Sequence, residues 1–288
     1  MQRYEFNGLP SMVWPYVQVL TAKKPLLAAP GTQSSSLLMQ ASRVSIRAGH
    51  LRRYREVCGI ANSDTLPAAY LHVVAMPLHM RLFTHAEFPV KVLGLVHLRN
   101  VIRQFKPMPN SCVITLSAQY EGLRETDSGQ EYDLITRAWL RDELVWEEIS
   151  TMLARRHTPG KRPSIERATR HADSVLQEQT ISVIANTGRR YARVSGDFNP
   201  IHLFDRTARA FQFKQAVAHG MWSLARCIGL ADTQLPQGAI EFDAAFKLPI
   251  YLPGEFVFRQ QRQAAAQELT LTTPKGDRLH LLVNVRSM

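Results

Sequence analysis

An internal repeat is the feature of this chain that most constrains its fold. The string RRYREVCGIANSDT, which begins at Arg52, returns as RRYARVSGDFNPIH, which begins at Arg189. Further along, GLVHLRNVIRQFKPMP from Gly94 lies opposite GAIEFDAAFKLPIYLP from Gly238. Two blocks repeated in the same order predict two structural units of one kind within a single chain. The length of 288 residues also exceeds that of a typical single domain.

Each half predicts the same order of elements, in which a turn and a short helix lead into an apolar helix and then into strands. We expect the apolar helices at about Ala68–His85, with a kink at Pro77, and at about His219–Ala231. The alternating strands that follow include a hairpin turned at Pro274–Asp277. This order predicts an α+β fold in which an antiparallel sheet wraps around a central helix.

A basic segment separates the two repeats. The stretch Arg155–His171 contains six Lys or Arg residues, one acid and two prolines. This composition favours a solvated linker, with a phosphate-binding arm as the alternative. We therefore predict a first unit over residues 1–154, a linker over 155–175 and a second unit over 176–288.

Composition places the chain among globular proteins, with 45% hydrophobic and 20% charged residues. The formal charge of +11 suits anionic partners such as nucleic acid, an acidic membrane surface or a phosphorylated ligand, without choosing between them. The start of the sequence lacks the basic and apolar pattern of a secretory signal. The three cysteines are widely spaced and odd in number, which favours a reducing compartment. We expect a cytoplasmic protein.

The second copy of the repeat carries the residues suited to chemistry. Gly196 permits a tight turn, and Asn199 followed by Pro200 is typical of a helix start. His202 then falls in the first helical turn, while Asp197 lies just before the helix. Such a turn can aim a carboxylate and an imidazole at one point. These two groups suit the proton transfers of adding water to a double bond or removing it.

The whole string resembles the signature of the MaoC-like hydratase/dehydratase family of the hot-dog fold. The family's tyrosine, Ser-Gly-Asp and Asn-Pro-Ile-His fall in order on Tyr191, Ser195–Asp197 and Asn199–His202. The segment AHGMWSLA at Ala218–Ala225 resembles the family's His-Gly segment at the start of the central helix. The first half is more loosely similar to the first unit of two-unit, double hot-dog members.

The resemblance implies a role for each matching residue. Asp197 and His202 are expected to form the acid/base dyad, which Asn199 positions. The backbone N–H of Gly220 is expected to donate to the thioester carbonyl, a role that the free N–H groups and positive dipole of a helix N-terminus support. The substrate contacts that the resemblance implies are Tyr191, Ser195, His219 and Met221.

The first half departs from this pattern at the two decisive positions. Ile60 stands where Asp197 has its counterpart, and Thr65 stands where His202 has its own. That half can supply no dyad. We therefore expect one active site per chain, with the first unit supplying pocket walls and room for an acyl tail.

The expected reaction interconverts an (R)-3-hydroxyacyl thioester of coenzyme A or acyl-carrier protein with a trans-2-enoyl thioester and water. In dehydration we expect His202 to remove the proton alpha to the carbonyl and Asp197 to protonate the leaving hydroxyl. The two roles could be exchanged, or one water could be shared between both groups. We expect no cofactor or metal, no nucleic-acid or membrane partner, and a possible homodimer.

Two other function classes stay open at this stage. The hot-dog fold also hosts thioesterases, and a non-catalytic module could bind an anionic partner through its basic surface. A metal site is a weaker alternative, because Asp197, His202 and His219 lack tight ligand spacing. His72 and His79 lie seven apart and share a helix face, which favours core or interface histidines.

Overall fold

The computed structural model describes residues 2–21, 23–29, 31–32, 37–156, 175–263 and 266–288. The strands are β1 (Gln2–Asn7), β2 (Leu37–Ser45), β3 (Leu95–Gln104), β4 (Val113–Thr126), β5 (Gly129–Leu140), β6 (Glu143–Arg155), β7 (Val175–Val183), β8 (Ile240–Phe246), β9 (Gly254–Gln263), β10 (Ala266–Thr272) and β11 (Leu279–Ser287). The helices are α1 (Val13–Thr21), α2 (Ala48–Cys58), α3 (Tyr70–Thr84), α4 (Thr187–Ser195), α5 (Asp205–Arg209) and α6 (Gly220–Ala231).

The strands form a single sheet in the order β1-β2-β4-β5-β6-β3-β8-β11-β10-β9-β7. Only the β1–β2 pair of this sheet is parallel. Strands β1–β6 form one end of the sheet, and strands β7–β11 form the other. The two ends join where β3 pairs with β8, with Arg99 opposite Ala245 and Gln104 opposite Ile240. The α+β fold predicted from the sequence is confirmed.

The two apolar helices lie against the sheet, one at each end. Helix α3 packs against β2, β4 and β5, and helix α6 packs against β9, β10 and β11. Eleven of the fifteen residues of α3 are buried, so this helix is covered by the rest of the protein on nearly every side. The strands meet this helix with alternate residues, as the burial pattern of β5 shows. Helix α3 spans the expected range and contains Pro77.

The repeated segments of the sequence pack against each other. Helix α2 contacts α4, and the rings of Tyr54 and Tyr191 lie 6.4 Å apart between centroids. Both helices end at a left-handed glycine, Gly59 at φ +61° and Gly196 at φ +74°. A hydrogen bond of 2.8 Å joins His50 on α2 to the carbonyl of Val194 on α4. The internal repeat therefore corresponds to two helices with matching glycine ends that pack against each other.

Most of the predicted linker over residues 155–175 lies outside the described residues, so the unit boundaries stay a prediction. The N-terminal segment that the family resemblance did not cover adds β1 beside β2 and α1 against α3. In the described part of the chain, no helix is long and apolar enough to cross a membrane.

We expect the substitution Arg55→Leu to lower the free energy of unfolding by about 2–3 kcal/mol, because the loop carbonyls would lose the hydrogen bonds of a buried, charged donor. Arg55 is 4% exposed, and its guanidinium donates to the carbonyls of Ala61 and Thr65 in the loop after α2. Urea unfolding followed by circular dichroism measures the change.

Arg52→Leu is the matched control, since the Arg52 side chain is 72% exposed and makes only a long ion pair with Glu56. We expect its effect to stay within about 0.5 kcal/mol. Equal stabilities for the two variants would contradict the role given to Arg55.

Candidate active site

One cavity of about 320 Å³ collects the residues that the sequence singled out. Its lining includes every predicted site residue, namely Tyr191, Ser195, Asp197, Asn199, His202, His219, Gly220 and Met221. The opposite wall comes from the first half of the chain, mainly from α3 and the start of β3. The cavity therefore lies between the two ends of the sheet.

The position of Asp197 follows from the way α4 ends. Gly196 takes the left-handed conformation that closes the helix, and the chain turns sharply after it. The Asp197 N–H donates to Ser195 Oγ at 3.1 Å, and the Asp197 carboxylate accepts from the Asn199 N–H at 3.1 Å. The loop thus holds the carboxylate with its own backbone, while 38% of the side chain stays exposed.

His202 is placed by a short 3-10 helix, Pro200–His202, which Asn199 caps by accepting from the Ile201 N–H at 3.4 Å. The ring nitrogen Nδ1 of His202 lies 2.8 Å from the Val217 carbonyl and donates to it. Burial lowers the pKa of His202, so the ring is neutral near pH 7. Its other nitrogen, Nε2, then carries a lone pair that can accept a proton.

His219 lies directly against His202, with ring centroids 3.7 Å apart and planes inclined by 25°. Burial and the neighbouring His202 lower the pKa of His219 to about 3. The neutral ring donates from Nε2 to the Asp197 backbone carbonyl at 2.9 Å. Its Nδ1 is buried without a hydrogen-bond partner among the described residues. His219 therefore ties the start of α6 to the Asp197 turn.

Asp197 stays ionised in this setting. Burial alone would raise the pKa of Asp197, but His219, His202 and the Asn199 N–H outweigh it and lower that pKa. One ligand atom each from Asp197, His202 and His219 lies within 4.8 Å of the others. The sequence spacing had not indicated this cluster. Its size could accommodate a metal ion, and it equally lets one water molecule touch both a carboxylate and an imidazole.

The N-terminus of α6 forms another part of the cavity wall. The first backbone bond of this helix runs from the Ser223 N–H to the His219 carbonyl, so the N–H of Gly220 precedes the helical ladder. A Cβ atom on Gly220 would lie 3.1 Å from the Phe246 ring. Glycine therefore lets the Phe246 ring pack closely against the start of α6.

The sequence predicted that the first half supplies walls of the pocket, but it did not identify the residues that do so. His72, His79 and His97 line the cavity, although the first two were expected to be core or interface histidines. Their spacing correctly indicated a shared face, and their ring centroids lie 5.2 Å apart. The direction in which that face points depends on how α3 packs against the sheet, which the spacing of residues along a helix does not predict.

The first repeat forms a smaller cavity of about 140 Å³ at the matching place. Ile60 and Thr65, which replace the dyad, line it together with Arg55 and Gly229. This lining contains no carboxylate or imidazole. Where the second repeat brings acid/base groups together, the first repeat uses Arg55 to hold its loop.

A sheet that carries two central apolar helices, with a cavity at the N-terminus of one of them, defines a tandem hot-dog protein. Residues 166–271 match the family model described as "MaoC like domain". The chain is 27% identical over 244 residues to 3-hydroxyacyl-thioester dehydratase X of Mycobacterium tuberculosis, a match that covers 82% of this chain and 84% of that protein. The crystal structure of HtdX from Mycobacterium tuberculosis superposes with a TM-score of 0.76 at 26% identity, covering 86% of this chain and 99% of that one.

A shorter match extends over 86 residues to (R)-specific enoyl-CoA hydratase of Aeromonas caviae, at 31% identity. It covers 29% of this chain and 64% of that protein. Residues 166–271 therefore match a MaoC-like domain, and the family resemblance and the double hot-dog fold expected from the sequence are confirmed.

Gly196→Ala should lower the free energy of unfolding by about 1–2 kcal/mol, because an L-residue with a Cβ is strained at this positive φ. Gly49→Ala is the matched control, since a Cβ at Gly49 meets nothing within 4 Å and Gly49 lies inside α2. We expect that control to unfold at the same urea concentration as the unmodified chain, or at a higher one. A Gly196→Ala variant as stable as the control would refute the strained turn.

Proposed function

We propose that this chain catalyses the reversible hydration of a trans-2-enoyl thioester to an (R)-3-hydroxyacyl thioester. The observation that carries the proposal is the meeting of the Asp197 carboxylate and the free Nε2 of His202 at one end of a largely apolar cavity. The Gly220 N–H lies at the same end. These groups are what the addition of water beside a thioester requires.

The charge states of Asp197 and His202 favour a mechanism in which both groups contact one water molecule over a mechanism in which one of them is a protonated acid before the reaction. Asp197 is a carboxylate and His202 is neutral, so neither group holds a spare proton before the reaction. In hydration, one water bound between them adds its oxygen to C3. His202 Nε2 accepts the proton that this water loses and returns it to C2. In dehydration, His202 removes the C2 proton and delivers it to the departing hydroxyl group.

Asp197 then has two roles. Its carboxylate accepts a hydrogen bond from the water or the substrate hydroxyl, which orients the oxygen toward C3. It also stabilises the imidazolium that His202 becomes during the reaction. The sequence had assigned Asp197 to protonate the leaving hydroxyl, and the low pKa of this carboxyl favours the shared-water alternative instead.

Gly220 would stabilise the charge that develops on the thioester oxygen. When the C2 proton is absent, negative charge moves onto that oxygen, and the N-terminus of a helix offers both N–H groups and a positive dipole end. Helix α6 has twelve residues, long enough for its dipole to matter at Gly220. The backbone N–H supplies this stabilisation without any side chain that could titrate.

The relatives support the choice of reaction and substrate. One is named a 3-hydroxyacyl-thioester dehydratase and the other an (R)-specific enoyl-CoA hydratase, two names for opposite directions of one equilibrium. We infer an acyl thioester of coenzyme A or acyl-carrier protein as substrate, and the (R) configuration at C3. Because the first repeat has no dyad, we infer one active site per chain.

The substitutions Asp197→Asn and His202→Ala should each lower kcat/KM for trans-2-octenoyl-CoA by about 10²–10⁴-fold, the loss expected when a general acid/base group is removed. Disappearance of the enoyl absorbance measures the reaction, and melting temperatures establish that each variant is folded. Asp64→Asn is the matched control, since Asp64 is an exposed acid in the first copy of the repeat.

An Asp197→Asn or His202→Ala variant with full activity would refute the dyad. Release of free thiol from the acyl-CoA, detected with a thiol reagent while no 3-hydroxyacyl product forms, would instead favour thioester hydrolysis.

The pH dependence of kcat/KM should show an acid limb below pH 6.5. His202 must be neutral to accept a proton, so activity is full above its pKa and is lost as pH falls through it. Since burial lowers the pKa of His202 from 6.5, the limb moves to lower pH. A limb at or above pH 6.5 would contradict a His202 pKa lowered by burial.

A further inference from the structure

The wall of the cavity that faces the dyad contains a polar group of residues that the hydration mechanism does not use. We call it the distal polar cluster and define it as His72, His97, Asn100, Glu148 and Ser150. His72, His97 and Ser150 line the cavity, and Asn100 and Glu148 lie behind them at 0% exposure. All five residues belong to the first half of the chain.

The distal polar cluster is tightly connected. Nδ1 of His72 lies 2.9 Å from both carboxylate oxygens of Glu148. The side-chain amide of Asn100 donates to Glu148 at 2.7 Å and to Ser150 Oγ at 2.9 Å. Burying such a network is costly compared with apolar residues of the same volume. A wall that met only a hydrocarbon tail would be more stable without it.

Two nitrogens of the cluster remain for a ligand. His72 uses Nδ1 on Glu148, which leaves Nε2 on a ring that lines the cavity. Burial alone would lower the pKa of His72, but Glu148 outweighs it and raises that pKa. Burial lowers the pKa of His97 to about 4, and its Nδ1 is engaged with the Arg99 backbone. Nε2 of His97 is therefore a lone-pair acceptor, buried without a partner among the described residues.

A hydrogen-bond acceptor without a partner thus stands beside a second imidazole ring. The rings of His72 and His97 are 6.3 Å apart between centroids and inclined by only 22°. A hydroxyl group can donate to Nε2 of His97, whereas a carbonyl or an ether oxygen can only accept. The pair therefore matches a hydroxyl group better than any other single oxygen substituent.

The distal polar cluster lies beyond the reacting carbons. The Phe246 ring stands beside Gly220, where the thioester oxygen is proposed to bind. The His97 ring packs on Phe246 at 4.8 Å between centroids, and His72 is the next ring along the wall. Met76, Met80 and Phe83 continue the wall with apolar surface. An acyl chain that starts at Gly220 passes the two histidines before it reaches this surface.

We propose that the His72–His97 pair binds a hydroxyl group on the acyl chain, so that the preferred substrates are enoyl thioesters with a hydroxyl group beyond C2 and C3. This inference rests on the proposed hydration activity and adds the substrate class. The hydroxyl group donates to His97 Nε2 and lies beside the His72 ring.

The test compares kcat/KM for trans-2-octenoyl-CoA with that for its 6-, 7- and 8-hydroxy derivatives. We expect one hydroxyl position to be preferred by about tenfold to a hundredfold, which corresponds to the loss of one buried hydrogen-bonding partner. The oxo analogue at the same position should lose most of that preference. In His97→Leu the ratio of hydroxylated to plain substrate should fall toward one. His72→Leu is less suitable, because it would leave the Glu148 carboxylate buried without its partner.

His85→Gln is the protein control, since His85 lies outside the cavity and bonds to Tyr4. Its substrate ratio should equal that of the unmodified chain. If octenoyl-CoA is hydrated but no hydroxylated derivative is preferred, the substrate class is wrong while the hydration activity stands. A preference that survives in His97→Leu would also overturn the assignment. If no compound is hydrated, the proposed function itself has failed.

Discussion

The pairing of β3 with β8 is the interaction on which the rest of the structure depends. It joins two half-sheets that would otherwise each present an unpaired edge. Arg103 on β3 also forms an ion pair of 2.9 Å with Glu241 on β8, which strengthens this strand pairing. Since β3 carries His97 and β8 ends at Phe246, the same pairing places a first-half side chain against the wall of the second-half site. The cavity therefore exists only because the two halves share one sheet.

The two repeats share one backbone feature, a helix that ends at a left-handed glycine, but they differ in the side chains that follow it. In both repeats a helix ends at a left-handed glycine and the chain turns sharply, so the residue after the glycine is directed by the same geometry. In the second repeat that residue is Asp197, beside His202 and His219. In the first it is Ile60, and the buried Arg55 binds the loop carbonyls. The repeat explains the fold, and the side chains after the glycine differ between the copy that we propose to transfer protons and the copy that we propose to be structural.

The sequence predicted the parts of the site that depend on local signals. The glycine turn, the Asn199-Pro200 helix start and the beginning of α6 near His219 are encoded within a few residues, and the structure has each of them. The contributions of His72 and His97 were not predicted, because helix packing places His72 and strand pairing between distant segments places His97 at the cavity. The stacking of His202 on His219 likewise depends on tertiary contact, since the two residues are seventeen positions apart. How these residues act on substrate stays a proposal.

The most direct test of the central claim is the number of substrate molecules bound per chain. Titration calorimetry of the Asp197→Asn variant with trans-2-octenoyl-CoA measures it without turnover. The account predicts one molecule per chain, held in the cavity between the two halves, with no binding at the Ile60 and Thr65 cavity. Two molecules per chain would contradict the division between an active and a structural repeat. Rapid hydration by this variant would contradict the role of Asp197.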